Sequence, residues 1–125
     1  PADLEGEKPA VYPHMAGRYV FKHAVTRFPE VIRESLAANG LGVEDLGLLV
    51  PHQANLRINQ VVATELGLPE SRVVNNMNRY GNTTAASIPL ALDEAIQDGR
   101  AHEGQYLCMA AFGAGFTWAA ALFRW

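Results

Sequence analysis

Residues 46–50, Leu-Gly-Leu-Leu-Val, are apolar at four of five positions. A strand that is apolar on successive residues, not alternate ones, is covered on both faces, and that calls for helices packed on either side of a sheet. The run passes directly into Pro51-His52-Gln53-Ala54-Asn55-Leu56-Arg57-Ile58, where polar residues stand between the strand and a helical pattern. Polar side chains held at such a corner of a rigid frame usually face a ligand cleft. A second corner, Arg79-Tyr80-Gly81-Asn82-Thr83-Thr84, precedes another helical pattern, and a third, Phe112-Gly113-Ala114-Gly115-Phe116, separates two predicted strands. Three such corners in 125 residues suggest one shared site.

The rest of the chain fits that frame. Residues 1–14 read as an irregular polar segment. From Gly17 a helical pattern sets Phe21, Ala24, Val25, Phe28, Val31, Ile32 and Leu36 on one face, with Lys22, Arg27, Glu30, Arg33 and Glu34 opposite. Pro29 lacks a backbone donor and is expected to kink or divide this helix. Asn39-Gly40 supplies its stop. Asn55 can cap a second helix running to about Leu66 and closed by Gly67. Residues 72–75 read as a short strand. A third helix is predicted over 83–98, with Pro89 awkward unless it falls in the first turns. Strands over 105–112 and 116–124 flank Gly113-Ala114-Gly115, a hairpin signal. The order α-β-α-β-α-β-β predicts an α/β fold, a mixed and mostly parallel sheet with helices packed on it.

Composition narrows the function. About half the residues (49%) are apolar and 18% are charged, an ordinary globular balance. A net charge of −3 gives no support for nucleic-acid binding, which needs a basic face. No apolar run approaches the ~20 residues of a membrane span, so no membrane partner is expected. The single cysteine, Cys108, excludes an internal disulfide and suits a cytoplasmic setting. It lies inside a predicted strand and reads as a small buried hydrophobe, not a nucleophile. His14, His23 and His102 make no metal-ligand spacing with His52, so no metal site is expected. His102 reads as a surface residue, and Trp118 and Trp125 as sheet packing. The N-terminus has no initiator Met, and a fragment or a piece of a cleaved protein is the expectation.

Pro51-His52-Gln53-Ala54-Asn55-Leu56-Arg57-Ile58, Tyr80-Gly81-Asn82-Thr83-Thr84-Ala85-Ala86-Ser87 and Ala111-Phe112-Gly113-Ala114-Gly115-Phe116-Thr117-Trp118 together resemble the C-terminal part of β-ketoacyl-acyl carrier protein synthase III. Phe21-Lys22 also fits. The resemblance covers roughly residues 12–125 and makes 15–125 an incomplete half of a thiolase-like condensing enzyme, whose fold is two similar halves packed as five layers. It implies that the family's nucleophilic cysteine lies in the absent first half. Cys108 does not match it, so the chain alone is expected to be inactive and to need that half as a partner. The complete enzyme would be a homodimer.

The implied reaction is a decarboxylative Claisen condensation in fatty acid biosynthesis, joining an acyl-CoA primer to malonyl carried on acyl carrier protein, with no cofactor beyond these substrates. Loss of carbon dioxide places negative charge on the malonyl thioester oxygen. Preorganised donors aimed at such an oxygen can each be worth about 3–4 kcal/mol. Neutral His52 and the Asn82 amide are the expected pair, uncharged and therefore cheaper to bury than Lys or Arg. The turn Gly113, Ala114, Gly115 would offer backbone N–H groups to the tetrahedral intermediate at the cysteine, with Phe112 as an apolar wall. The family usually has three glycines there, so Ala114 puts the turn geometry in doubt. Asn55 would line the pantetheine tunnel or simply cap its helix. Phe21 would stand at the tunnel mouth or in the core. Lys22 and Arg57 would meet the acidic acyl carrier protein, or remain ordinary solvated charges, with Glu65 limiting how basic that surface is.

Two other readings stand beside this one. A relative could use the same frame for other acyl transfer, including ester formation or the priming of polyketides. A non-catalytic domain could bind acyl carrier protein or complete a partner subunit, although keeping both His52 and Asn82 argues against a decayed enzyme. An exposed apolar face and strand edge are expected on the chain by itself, and hence a companion chain or self-association.

Overall fold

Four apolar helical positions, Ala24, Phe28, Ile32 and Leu36, recur at intervals of four and are buried on one stripe of α1 (Gly17–Ala37). The computed structural model describes residues 15–125, so the irregular segment read over 1–14 lies outside the described residues. Pro29 sits inside α1 without dividing it. Of the kink or division expected there, the division does not occur: the missing N–H costs one intrahelical bond, and burial of the flanking stripe holds the helix continuous. The helix ends at Ala37, and the Leu41 N–H then closes on the Leu36 carbonyl at 3.0 Å.

After a short 3₁₀ turn the chain forms β1 (Leu46–Pro51). Next come α2 (Leu56–Leu66), α3 (Met77–Tyr80), α4 (Ser87–Gln97), β2 (Tyr106–Gly113) and β3 (Thr117–Arg124). β1 pairs parallel with β2, and β2 pairs antiparallel with β3, giving the sheet order β1-β2-β3. The strand predicted over 72–75 is reduced to one parallel bridge, Val73 to Leu49. A 3₁₀ turn over Glu70–Arg72 takes up its first residue. The third helix starts later than predicted: Thr84–Ala86 is a 3₁₀ turn and α4 begins at Ser87. Pro89 is then the third residue of α4, in the first turn, where no intrahelical donor is lost.

Helices cover both faces of the sheet, as the apolar run of β1 requires. Leu46, Leu49, Cys108, Ala110 and Phe112 pack with α1 and α2. Leu48, Val50 and Leu107 pack with Ala91 and Ala95 of α4 on the opposite face. A register shift between Leu46 and Leu48 lets both of these residues point inward on different faces. Gly47 stands at that bulge, and a Cβ there would collide with the Gln105 side chain. No helix among the described residues is long and apolar enough to cross a membrane.

Candidate functional site

The parallel pairing of β1 with β2 sends the C-terminal ends of both strands to one edge of the sheet. His52 is the first residue past β1, and its N–H still bonds the Ala110 carbonyl of β2 at 2.8 Å. The β2–β3 turn follows three residues beyond Ala110, so His52 and Gly113-Ala114-Gly115 share that edge. The His52 ring is half-buried, with Nδ1 2.5 Å from the Ser87 hydroxyl at the start of α4. Burial alone pushes its pKa below the usual histidine value, because desolvation penalises the imidazolium. That direction favours the neutral ring near pH 7.

Asn82 lies five residues before Ser87, in the segment that leads into α4. Its Oδ1 accepts from the Thr84 N–H at 2.9 Å, an Asx turn that fixes the side chain. No hydrogen bond joins Asn82 to His52. The loop is bracketed by an ion pair at 2.5 Å between Arg79 of α3 and Glu94 of α4.

Among the described residues, Thr84 and Phe116 are the non-glycine residues with positive φ, each at 54°. Both belong to predicted corners, one beside Asn82 and one closing the hairpin tip. Backbone held in such a sparsely populated region often marks a functional site. Ala114 escapes this strain: the positive φ of the turn falls at Gly115, at 76°, and at Phe116. The doubt raised by alanine in place of the middle glycine is thereby removed for the turn's backbone. The Thr117 hydroxyl donates to the Ala114 carbonyl at 3.2 Å and braces the tip.

Phe21 and Arg57 come together across α1 and α2. They line an open groove of about 250 Å³ with Gln60, Val61, Thr64 and Glu65. Phe21 is half-buried there and is not one of the fully buried core residues. Asn55 caps α2, its Oδ1 accepting from the Arg57 N–H at 2.9 Å. That use leaves its amide NH₂ without a partner among the described residues. Lys22 and Arg57 are exposed, and neither pairs with a carboxylate among the described residues.

Phe112 is almost wholly buried in the core cluster below α1. Trp118 stacks on it with centroids 6.2 Å apart, and the Arg27 guanidinium lies 5.3 Å over the Trp118 ring. Trp118 thus packs on the sheet yet keeps 42% of its surface exposed. Cys108 is fully buried, and desolvation pushes its thiol up to about 12, so it is no thiolate near neutral pH.

Three features of the site were not read from the sequence. Gln53 is wholly buried and links β1 to two other segments. Its amide NH₂ donates to the Pro51 and Val74 carbonyls at 2.8 and 2.9 Å, its Oε1 accepts from the Asn76 N–H at 3.0 Å, and its backbone N–H donates to the Ser87 hydroxyl at 3.3 Å. Ser87 is the second, a buried serine opening a helix. The third is an aromatic group in which Tyr19 and His23 of α1 pack edge-on against Phe116 at the hairpin tip, at 5.1 and 4.9 Å. A glutamine two residues past an apolar strand was a usable signal for the first, since such a side chain is either exposed or fully bonded. The aromatic group joins residues nearly a hundred positions apart, and no local pattern announces it.

Comparison with known proteins gives a consistent result. Residues 36–125 match the family model for the C-terminal region of 3-oxoacyl-[acyl-carrier-protein] synthase III. A β-ketoacyl-[acyl-carrier-protein] synthase III of Xanthomonas campestris is 54% identical over 111 residues, covering 89% of this chain and 34% of the relative. The Thermus thermophilus synthase III structure superposes with a TM-score of 0.87 at 52% identity, covering 90% of this chain and 35% of that one. The priming β-ketosynthase of the R1128 polyketide pathway superposes at 0.79 with 40% identity, covering 99% and 39%. The chain therefore spans about a third of the length of the curated relatives it matches.

Proposed function

The chain belongs to the 3-oxoacyl-[acyl-carrier-protein] synthase III family, as its C-terminal part, and from that premise we propose that it supplies the decarboxylation machinery of a condensing enzyme. The observation that carries this reading is the tie between His52 and Ser87. It joins the strand end bearing His52 to the helix entered by the Asn82 loop, on the sheet edge that also holds the Gly113-Ala114-Gly115 turn.

In this reading malonyl on acyl carrier protein loses carbon dioxide at this edge. The electron pair of the breaking C–C bond moves into the thioester carbonyl, whose oxygen gains charge. His52 donates from Nε2 and Asn82 from its side-chain NH₂. A neutral His52 suits this chemistry. A charged ring would stabilise the enolate too, but its proton could quench the carbanion. The enolate carbon then attacks an acyl thioester held on a cysteine. That cysteine is not Cys108, which is buried with its thiol pushed to about 12. It would come from the region of the longer relatives that this chain does not span. The turn's backbone N–H groups would receive the oxyanion of the tetrahedral intermediate, beside Phe112.

Phe21 and the free amide of Asn55 would guide the pantetheine arm of coenzyme A or acyl carrier protein. Lys22 and Arg57 would attract the acidic carrier, raising the association rate more than the affinity. The similarity to a polyketide-priming ketosynthase supports a second reading, in which the same residues serve primer condensation for a polyketide.

The test uses the assembled enzyme that contains this chain. His52→Ala removes one donor. Asn82→Asp keeps the acceptor for the Thr84 N–H while losing the amide donor. Each is expected to slow malonyl-thioester decarboxylation by about 10²–10³, the usual effect of removing one oxyanion donor. Full decarboxylation by either variant would end this assignment.

A further inference from the structure

Ser87 is wholly buried, and its hydroxyl proton has few places to go. Its Oγ accepts from the Gln53 backbone N–H at 3.3 Å. Among the described residues no carbonyl or carboxylate accepts from it. The Thr83 carbonyl, one turn earlier, already takes the Ala86 N–H and the Thr84 hydroxyl. Among the described residues, the acceptor it meets is His52 Nδ1, at 2.5 Å. A buried hydroxyl proton left unbonded is costly. We propose that Ser87 is a positioning residue that donates its hydroxyl proton to His52 Nδ1 and so holds the imidazole in the Nε2–H tautomer.

The consequence is chemical. With Nδ1 occupied as an acceptor, the ring's only N–H is on Nε2, the nitrogen turned away from Ser87. The Gln53 N–H bond fixes where the Ser87 oxygen sits, and the wider Gln53 network ties that position to β1 and to the 74–76 segment. Exchange to the Nδ1–H tautomer would reverse the bond and strand the serine proton. The role as a positioning residue rests on the decarboxylation reading for His52, but the tautomer itself does not.

Two readouts separate these. Long-range ¹H–¹⁵N correlation on histidine-labelled full chain reports which ring nitrogen carries the proton. The wild type is expected to show Nε2–H. Ser87→Ala and the near-isosteric Ser87→Cys, whose thiol is a weak donor, are expected to show a mixture of tautomers. Ser87→Thr, which keeps a hydroxyl, is expected to restore Nε2–H. In the assembled enzyme, Ser87→Ala is expected to lose about fivefold in decarboxylation, the worth of one ordinary hydrogen bond. A wild-type Nδ1–H tautomer overturns the proposal, and so does an unchanged tautomer in whichever of the alanine and cysteine variants folds. If the tautomer shifts while His52→Ala still decarboxylates fully, the lock stands and the catalytic reading of His52 falls.

Discussion

A half-buried neutral imidazole leaves a thermodynamic mark that needs no substrate. His52 in the fold resists the proton that the unfolded chain accepts near pH 6.5. Above that pH neither state carries the proton, and the contribution of His52 to stability is constant. Below it the unfolded state binds more protons than the folded one, so stability falls as pH falls until the lowered native value is reached. Urea unfolding at about pH 7.5 and about pH 5.5 checks this. The wild type is expected to lose more stability between the two than His52→Gln, which cannot titrate. Equal losses would mean that burial does not hold the ring neutral. At this scale the sequence was informative about identity and silent about contact. His52, Asn55 and Asn82 stand out because polar residues interrupt apolar patterns at element ends. Ser87 and Gln53 sit in the same motifs, but their partners lie more than thirty residues away for Ser87 and in three segments for Gln53.

The elements follow from patterns that are strong only where they are long. The stripe of α1 and the apolar run of β1 were legible, and so was the cap at Asn55, because each rests on several residues or on a specific side chain. The strand expected over 72–75 shrank to the Val73–Leu49 bridge because a 3₁₀ turn claimed Arg72. α3, four residues long, carries too short a period to be read. Pro29 was overridden by the packing of Phe28 and Ile32 on either side. The loop between α3 and α4 depends on a contact across elements, the Arg79–Glu94 pair, whose Glu94 side chain is 18% exposed. Arg79→Ala is expected to cost at most about 1 kcal/mol globally. Its effect should be local: faster amide exchange over 81–86, read by hydrogen exchange, with little change in α1 or β2. Uniformly faster exchange would show instead that the pair holds the whole fold.

Across the whole molecule, one edge of the sheet gathers the polar corners while β3 is left thinly covered. Ala119 and Ala121 of β3 are exposed, as are Tyr19, Phe116 and Trp118 in part. An edge strand with apolar residues in the open normally meets another surface. That fits a chain spanning about a third of its relatives' length. The proposed division of labour has the donors here and the nucleophile elsewhere, so its geometry is complete only in the assembled enzyme. The decisive measurement is a structure of that assembly holding a malonyl thioester analogue that cannot lose carbon dioxide. His52 Nε2 and the Asn82 amide nitrogen are each expected within about 2.7–3.1 Å of the thioester oxygen. A bound analogue whose oxygen is met by neither group, or by donors from elsewhere, would contradict the proposed clamp.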